Sequence, residues 1–332
     1  MKSIRSVAEK AGVSSCTVSK VLNGVSSRIS PTTRDRVLLA ARELDYQPNR
    51  FAKGLGKRRT QTIGLLISGL QNPFFVSLVE EAERQFLAAG YQVVLDAAPP
   101  LGEQYGHPAK LRSLPLDGAL MQGTEMRHVS EYLGKMAFDL PTVYLGALRT
   151  DGEDGVYLDY GAGAYETAAH FASRGYHRAA FVTNAPVGAI VAEPRFYRFM
   201  DGCADFDLSA EIISTDFLET RTVGYRIGEA IARRSAADRP RAICCHNDVI
   251  AVGLCRALQR GGVRVPEDIA VSGFDGIEDG QFLEKPLTTV SGSLPAMIAA
   301  STERLLGRID GDSGRTGEQT AIPTRLIVGG TT

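Results

Sequence analysis

The chain has 332 residues, 44% of them apolar and 23% charged, enough for two or three domains with a sizeable core and typical of an ordinary globular protein. The net charge of −1 hides a division: residues 1–59 hold 13 Lys and Arg against four acids, a net +9, which leaves −10 on the remainder. A basic head on an acidic body points to a polyanionic partner. No run approaches the length of a membrane span, "MKSIRSVAEK" has no apolar signal core, and the five cysteines (Cys16, Cys203, Cys244, Cys245, Cys255) show no CxxC spacing. A cytoplasmic protein with cysteines as small apolar fillers is therefore expected, and a membrane partner is not.

The head predicts three helices. Ile4, Val7, Ala8 and Ala11 have helical spacing and Gly12 is placed to end that helix. In "GVSSCTVSKVLNG" (12–24), Ser14 is the expected cap and Gly24 the expected end. Val18, Val21 and Leu22 share one face of this second helix. Ser15, Cys16, Ser19, Lys20 and Asn23 share the other, a row of small hydrogen-bonding side chains and one cation. A third helix starts at "SPTTR", with Ser30 as N-cap, Pro31 at the first helical position, and Val37, Leu38, Ala41 and Leu44 as its buried stripe. Pro48 is expected to end it. Two helices joined by a tight Gly-containing turn and closed by a third form a helix-turn-helix unit. The thin, polar outer face of its second helix suits approach to base edges. In "YQPNRFAKGLGKRRTQ" (46–61), Gly54 and Gly56 each weaken helix by roughly 1 kcal/mol relative to Ala. About two turns over residues 49–56 should order only against a partner, leaving Leu55 exposed among basic residues.

The rest reads as α/β. "TIGLLI", "YQVVL", "DGALMQ", "PTVYLG", "AAFVT", "RAICC" and "DIAVSGF" are short apolar runs of buried-strand type. Helical stretches such as "FFVSLVEEAERQFLAAG", "YETAAHFASRG" and "VIAVGLCRALQRGG" alternate with them, which predicts parallel sheets flanked by helices. Ligands of open α/β sheets sit beyond the carboxyl ends of strands, where "SGLQNPFF", "HNDV" and "GFDG" fall.

The segments "VSSCTVSKVLNG", "ISPTTRDRVLLAARELDYQPN", "TIGLLISGLQNPFF", "HNDVIAVG", "VPEDIAVSGFD", "PLTTV" and "IPTRLIVGGTT", in this order across the chain, resemble the lactose-repressor (LacI/GalR) family of bacterial transcription regulators. The resemblance implies a helix-turn-helix DNA-binding domain over 1–47, a hinge over 48–59, and an effector-binding and dimerisation body over 60–332. It divides that body into an N-subdomain (about 60–160 and 291–320) and a C-subdomain (about 161–290 and 321–332), built like periplasmic sugar-binding proteins. It makes residues 14–23 the recognition helix, with Ser15 and Cys16 selecting the half-site. Thr17, Ser19, Lys20 and Asn23 become phosphate and base contacts. The family most often has Arg at position 20. Lysine lacks the bidentate fork, so a base and a phosphate contact both stay open there. Ile4, Ser14, Arg28, Ser30, Thr33, Tyr46, Asn49, Arg50 and Ala52 complete the implied DNA contacts, and Leu55 becomes a minor-groove wedge.

For the effector, the resemblance points to Phe74 and Phe75 for stacking, Arg195 in "EPRFYRF", Phe217 in "STDFLE", and Asn247 and Asp275 after strands, with Asp248 structural. Residues 97–116 depart from the family pattern: their prolines and glycines leave room for about two turns from Pro108 where a full pocket helix is expected. No GxSxG, HExxH or phosphate-loop GK[ST] is present. In "CCHND", strand alternation sends Cys244 and His246 one way and Cys245 the other, so no metal site converges. The expectation is a non-enzymatic, cofactor-free homodimeric repressor of carbohydrate-related genes that binds a near-palindromic operator and a sugar effector. A nucleobase or other metabolite is the alternative effector, and a sugar-metabolising enzyme with a DNA-binding head the remoter reading.

Overall fold

The computed structural model describes residues 3–22, 29–46, 59–67, 69–97, 114–122, 140–146, 154–183, 193–215, 219–311 and 317–332. Two compact units, Met1–Thr60 and Gln61–Thr332, emerge, and each is taken by itself.

The first unit holds α1 (Ile4–Ala11), α2 (Ser15–Leu22) and α3 (Pro31–Glu43). Ser3 caps α1 by accepting from the Ser6 amide, and Gly12 ends it at φ 62°, a conformation that costs glycine nothing. Ser14 Oγ accepts from the Thr17 amide at 3.2 Å, and Ser30 Oγ from the Thr33 amide at 3.3 Å. Val7, Ala8, Ala11, Val18, Val21, Val37, Ala40 and Ala41 form one buried core, with Ile4, Val13, Leu22, Leu44 and Tyr46 packed around it. So small a unit sits near the lower limit of independent folding, which makes its caps and small side chains matter.

Two expectations for α3 are corrected. Leu38 is exposed and Ala40 buried in its place, because the stripe follows 37, 40, 41 and 44, while position 38 lies about 100° round the helix from 37. Pro48 does not end the helix. Asp45, at φ 44°, and the bonds from the Tyr46 amide to the Ala41 carbonyl (2.8 Å) and the Asp45 amide to the Arg42 carbonyl (2.9 Å) close it earlier, as a left-handed cap does. Residues 47–58, with Pro48 and the expected hinge turns, lie outside the described residues, as do Gly24 and 98–113.

The second unit is built on an eleven-stranded sheet in the order β2-β1-β3-β4-β5-β11-β10-β9-β8-β6-β7. The strands are β1 (Thr62–Ile67), β2 (Gln92–Ala97), β3 (Gly118–Gln122), β4 (Thr142–Leu145), β5 (Gly155–Asp159), β6 (Arg178–Thr183), β7 (Ser209–Ser214), β8 (Ala242–Cys245), β9 (Ala270–Phe274), β10 (Thr288–Gly292) and β11 (Gln319–Ile327). Helices α4 (Pro73–Ala88), α5 (Tyr160–Ser173), α6 (Pro194–Asp205), α7 (Arg221–Arg233), α8 (Asp248–Arg260) and α9 (Leu294–Ile309) alternate with them. Every pairing is parallel except β10 with β11.

The sheet is two half-sheets sharing β11. Residues 319–323 run parallel to β5 and 324–327 antiparallel to β10. Pro323 stands at the changeover, where a residue without an N–H interrupts the ladder least. Each half has its own core. Ile63, Leu65, Leu78, Phe86, Leu120 and Ile298 anchor the first. In the second, Ile243 and Cys245 pack on one face with Leu254 and Val271, and Cys244 packs on the other with Phe181, Phe199 and Phe274. Four strands, β5, β7, β10 and β11, were not among the predicted runs. Among the described residues no helix is long and apolar enough to cross a membrane.

Candidate functional site

Six strand ends bring polar side chains together in the second unit. Asn72 follows β1, Tyr160 follows β5, Glu193 and Arg195 open the helix after β6, Glu219 precedes the helix after β7, His246 and Asn247 follow β8, and Asp275 follows β9. All lie beyond carboxyl ends, where open α/β sheets hold ligands.

Asp275 is the hub. Asn72 Nδ2 donates to one carboxylate oxygen at 2.9 Å, and Tyr160 Oη donates to the other at 3.0 Å. Its backbone lies at φ 102°, strained for a residue with a Cβ and held because its amide donates to the Val290 carbonyl at 3.0 Å. Asn72 also accepts from the Phe74 amide at 3.1 Å as the N-cap of α4. Its two ends thus tie the α4 terminus in one half to Asp275 in the other. Tyr160 packs against the cores of both halves.

The Arg195 guanidinium lies 4.7 Å from the Tyr160 ring centroid and 5.6 Å from that of Phe274, within cation–π range. Its Nη1 donates to the His246 carbonyl at 2.7 Å, and its Nε lies 3.0 Å from Glu193 Oε1. Asn247 caps α8 through the Ile250 amide (3.0 Å) and donates to Glu219 Oε2 at 2.9 Å. The His246 side chain is 4% exposed, with Nε2 3.5 Å from Glu219 Oε1. Its Nδ1 has no hydrogen-bond partner among the described residues. Burial, then the Arg195 charge, hold its pKa well below the ordinary value, so the ring is neutral. Burial raises the Asp275 carboxyl, opposed by Arg195, Asn72 and Tyr160.

Asp248 stands behind this cluster. Its carboxylate accepts from the Gly276 and Ile277 amides at 2.8 and 3.0 Å and from Thr289 Oγ1 at 2.7 and 2.9 Å. It thereby fixes the loop that presents Asp275. A Cβ on Gly273 would lie 2.2 Å from Asp248 Oδ1, so only glycine fits there. Phe74 and Phe75 meet edge to face at 5.4 Å and pack on the first half's core. Phe217 lies outside the described residues. Tyr160, Glu193, Glu219 and His246 were absent from the sequence-based candidates. Asn72 was legible only as part of "SGLQNPFF", a segment expected beyond a strand end. Two surface clefts of ≈ 450 Å³ lie apart from the cluster, one beside Cys255 and Lys285, the other beside Arg174 and Arg241.

In the first unit, α2 turns Val18 and Val21 inward and leaves Cys16 and Lys20 exposed and Ser15, Thr17 and Ser19 half-buried. Ser14 Oγ and Thr17 Oγ1 are 3.0 Å apart, and Ser30 Oγ donates to Thr33 Oγ1 at 2.9 Å. Ile4 and Tyr46 rest partly against the core. Asn23, Arg28, Asn49, Arg50, Ala52 and Leu55 lie outside the described residues.

Residues 3–49 match the model of the lacI family of bacterial regulatory proteins, and residues 168–332 that of the periplasmic binding protein-like domain. The ribose operon repressor of Halalkalibacterium halodurans is 31% identical over 337 aligned residues, covering 100% of this chain and 97% of that one. The chain belongs to the lacI family. It is a DNA-binding transcriptional repressor of that family. The HTH-type transcriptional repressor PurR of Vibrio cholerae is 30% identical over 93% of this chain and 92% of that relative. Among solved structures, the regulator CelR in complex with cellobiose matches with a TM-score of 0.71 at 26% identity over 100% of both chains. The lac repressor dimer bound to operator and an anti-inducer shares the fold, with a TM-score of 0.83 at 24% identity over 98% of this chain and 97% of that one. The curated relatives named here are repressors.

Proposed function

We propose that this family member is a homodimeric, effector-controlled repressor, with a sugar held by the Asp275–Arg195–Asn247 cluster and Phe74 or Phe75 stacking on it. The observation that carries the reading is the bond from Asn72 to Asp275 at 2.9 Å. A ligand whose hydroxyls compete for Asp275 changes what links the two halves of the body, and so the spacing of the two hinges in a dimer. Cellobiose in the CelR complex supports a carbohydrate, and the PurR relatives support a nucleobase as the second reading. Each head, residues 1–47, reads one half-site of a near-palindrome through α2, and the hinge, residues 48–59, orders on true operator. Such a protein works in the cytoplasm and needs neither cofactor nor metal.

Selection of binding sites from random DNA by the full chain tests the base-reading part. It should yield a near-palindromic consensus that changes in the Ser15→Ala/Cys16→Ala double variant, whereas Lys57→Ala and Arg58→Ala weaken all DNA alike. A consensus that survives the double variant unchanged contradicts the assignment of α2.

A further inference from the structure

The cleft beside Arg174 and Arg241 lies at the amino ends of β6 and β8, a strand's length from the effector cluster at their carboxyl ends. Arg174, Gly175, Tyr176, His177, Arg178 and Arg241 line it, so that three guanidiniums and an imidazole meet with no carboxylate in the lining among the described residues. This stands on a body whose net charge beyond residue 59 is −10. Arg174 is the C-cap residue of α5, where a cation complements the helix dipole. That account does not extend to Arg178, which begins β6, or to Arg241, which precedes β8. These two stand one position before the register pair Ala179 and Ala242, and the Arg241 amide donates to the Arg178 carbonyl at 2.8 Å. Adjacent strands lie about 4.8 Å apart and paired positions face the same side. The two side chains therefore leave the sheet together, and like charges so placed repel.

Their hydrogen bonds hold them in place without neutralising them. Arg178 gives Nη1 to the Ala237 carbonyl and Nη2 to the Arg239 carbonyl, the latter at 2.7 Å. Arg241 gives Nη2 to the Glu267 carbonyl at 3.0 Å. Arg174 has no side-chain partner among the described residues. Nearby carboxylates are already engaged. Asp268 feels the Arg241 charge, but Arg264 bonds both its oxygens at 3.0 and 2.7 Å. The Glu267 carboxylate holds Lys285 at 2.6 Å, and Asp238 accepts from the Ser235 hydroxyl at 2.6 Å. Two guanidiniums are thus preorganised on neutral acceptors, with Nε of both and Nη1 of Arg241 left over.

We propose that this cleft binds the phosphoryl group of a small phosphate or phosphate ester, held by Arg174, Arg178 and Arg241, as a second ligand site separate from the effector cluster. A tetrahedral dianion offers an oxygen to each guanidinium and offsets their mutual repulsion. The cleft's volume of about 450 Å³ falls in the range of small-molecule sites. An extended polyanion such as nucleic acid is disfavoured by the acidic body around it.

Calorimetry and thermal melting of the full chain test this with inorganic phosphate, glycerol 3-phosphate and glycerol, each against sodium chloride at equal ionic strength. Phosphate or its ester should bind and raise the melting temperature beyond chloride, and glycerol should not. Tighter binding of the ester marks an organic ligand, and equal or tighter binding of the free ion marks inorganic phosphate. Arg174→Ala removes no side-chain bond of the fold. It should weaken binding about tenfold or more, the scale of one charge-assisted hydrogen bond, with the melting temperature in chloride unchanged. Arg241→Gln should weaken it similarly, and the double variant should abolish it, whereas Arg195→Ala should leave it intact. Phosphate and ester that bind no better than chloride overturn the proposal. So does binding that Arg174→Ala and Arg241→Gln leave unchanged, the signature of an anion held by the basic head or by Arg195 instead.

Discussion

Asp248 and His246 are the residues whose chemistry has the sharpest consequences. Asp248 is fully buried and accepts from two amides and a hydroxyl. Asp248→Asn keeps the shape but sets an NH2 group against donors, and an unsatisfied buried group costs about 1–3 kcal/mol. In a body of this size that lowers the melting temperature by about 2–4 °C per kcal/mol, which calorimetric melting checks. His246 has a folded pKa well below its ordinary 6.5. The unfolded chain therefore takes up a proton that the fold refuses, and stability falls as pH drops below about 6.5. His170 adds to the trend, its pKa also lowered by burial and then by Arg174. Melting temperature followed from about pH 7.5 to 5.5 should fall less steeply in His246→Gln than in wild type. At this scale the sequence discloses only part of the site. Asp275 and Asn247 were legible as short polar residues after apolar strands. Glu219 and Tyr160 were not, because a lone glutamate before a helix and a tyrosine after a strand look the same wherever their side chains end.

The elements divide by how they are buried. β1, β3, β6, β8 and β9 are apolar runs buried along most of their length, so hydrophobicity alone revealed them. β11 alternates exposed and half-buried positions, contains Pro323, and owes its strand form to partners 164 residues away in sequence on one side. β7 and β10 likewise hold too few apolar residues to announce themselves. The packing of α7 on α8 depends on Gly224 and Gly253, where an added Cβ would lie 2.0 Å from the carbonyl oxygens of Ile250 and Arg221. That closeness is a property of the pair and not of either helix. Residues 49–56 lie outside the described residues, and the proposed hinge there rests on the sequence, whose local propensity is too weak for a helix alone. Leu55 there should act as a wedge only when two hinges pair on a true operator, at a cost of a few kcal/mol of unstacking recovered from bent DNA. Leu55→Ala is expected to lower operator affinity and bending while sparing random DNA, in anisotropy titrations against both. Equal weakening on both reduces the residue to linker.

For the whole molecule, the division of charge into +9 over residues 1–59 and −10 beyond already separated a DNA-facing part from a ligand-facing part. The contact proposed to carry coupling was hidden, because Asn72 and Asp275 stand 203 residues apart. The central claim is that occupancy of this cluster sets operator affinity, a coupling free energy between two sites. Fluorescence anisotropy of the selected operator, titrated with wild type, Arg195→Ala and Asp275→Ala in the presence and absence of a sugar or nucleobase that shifts the wild type, measures that coupling. The account predicts a shift of roughly 5- to 150-fold for wild type, its loss in both variants, and near-normal operator affinity for both without the compound. An equal shift in all three proteins contradicts it.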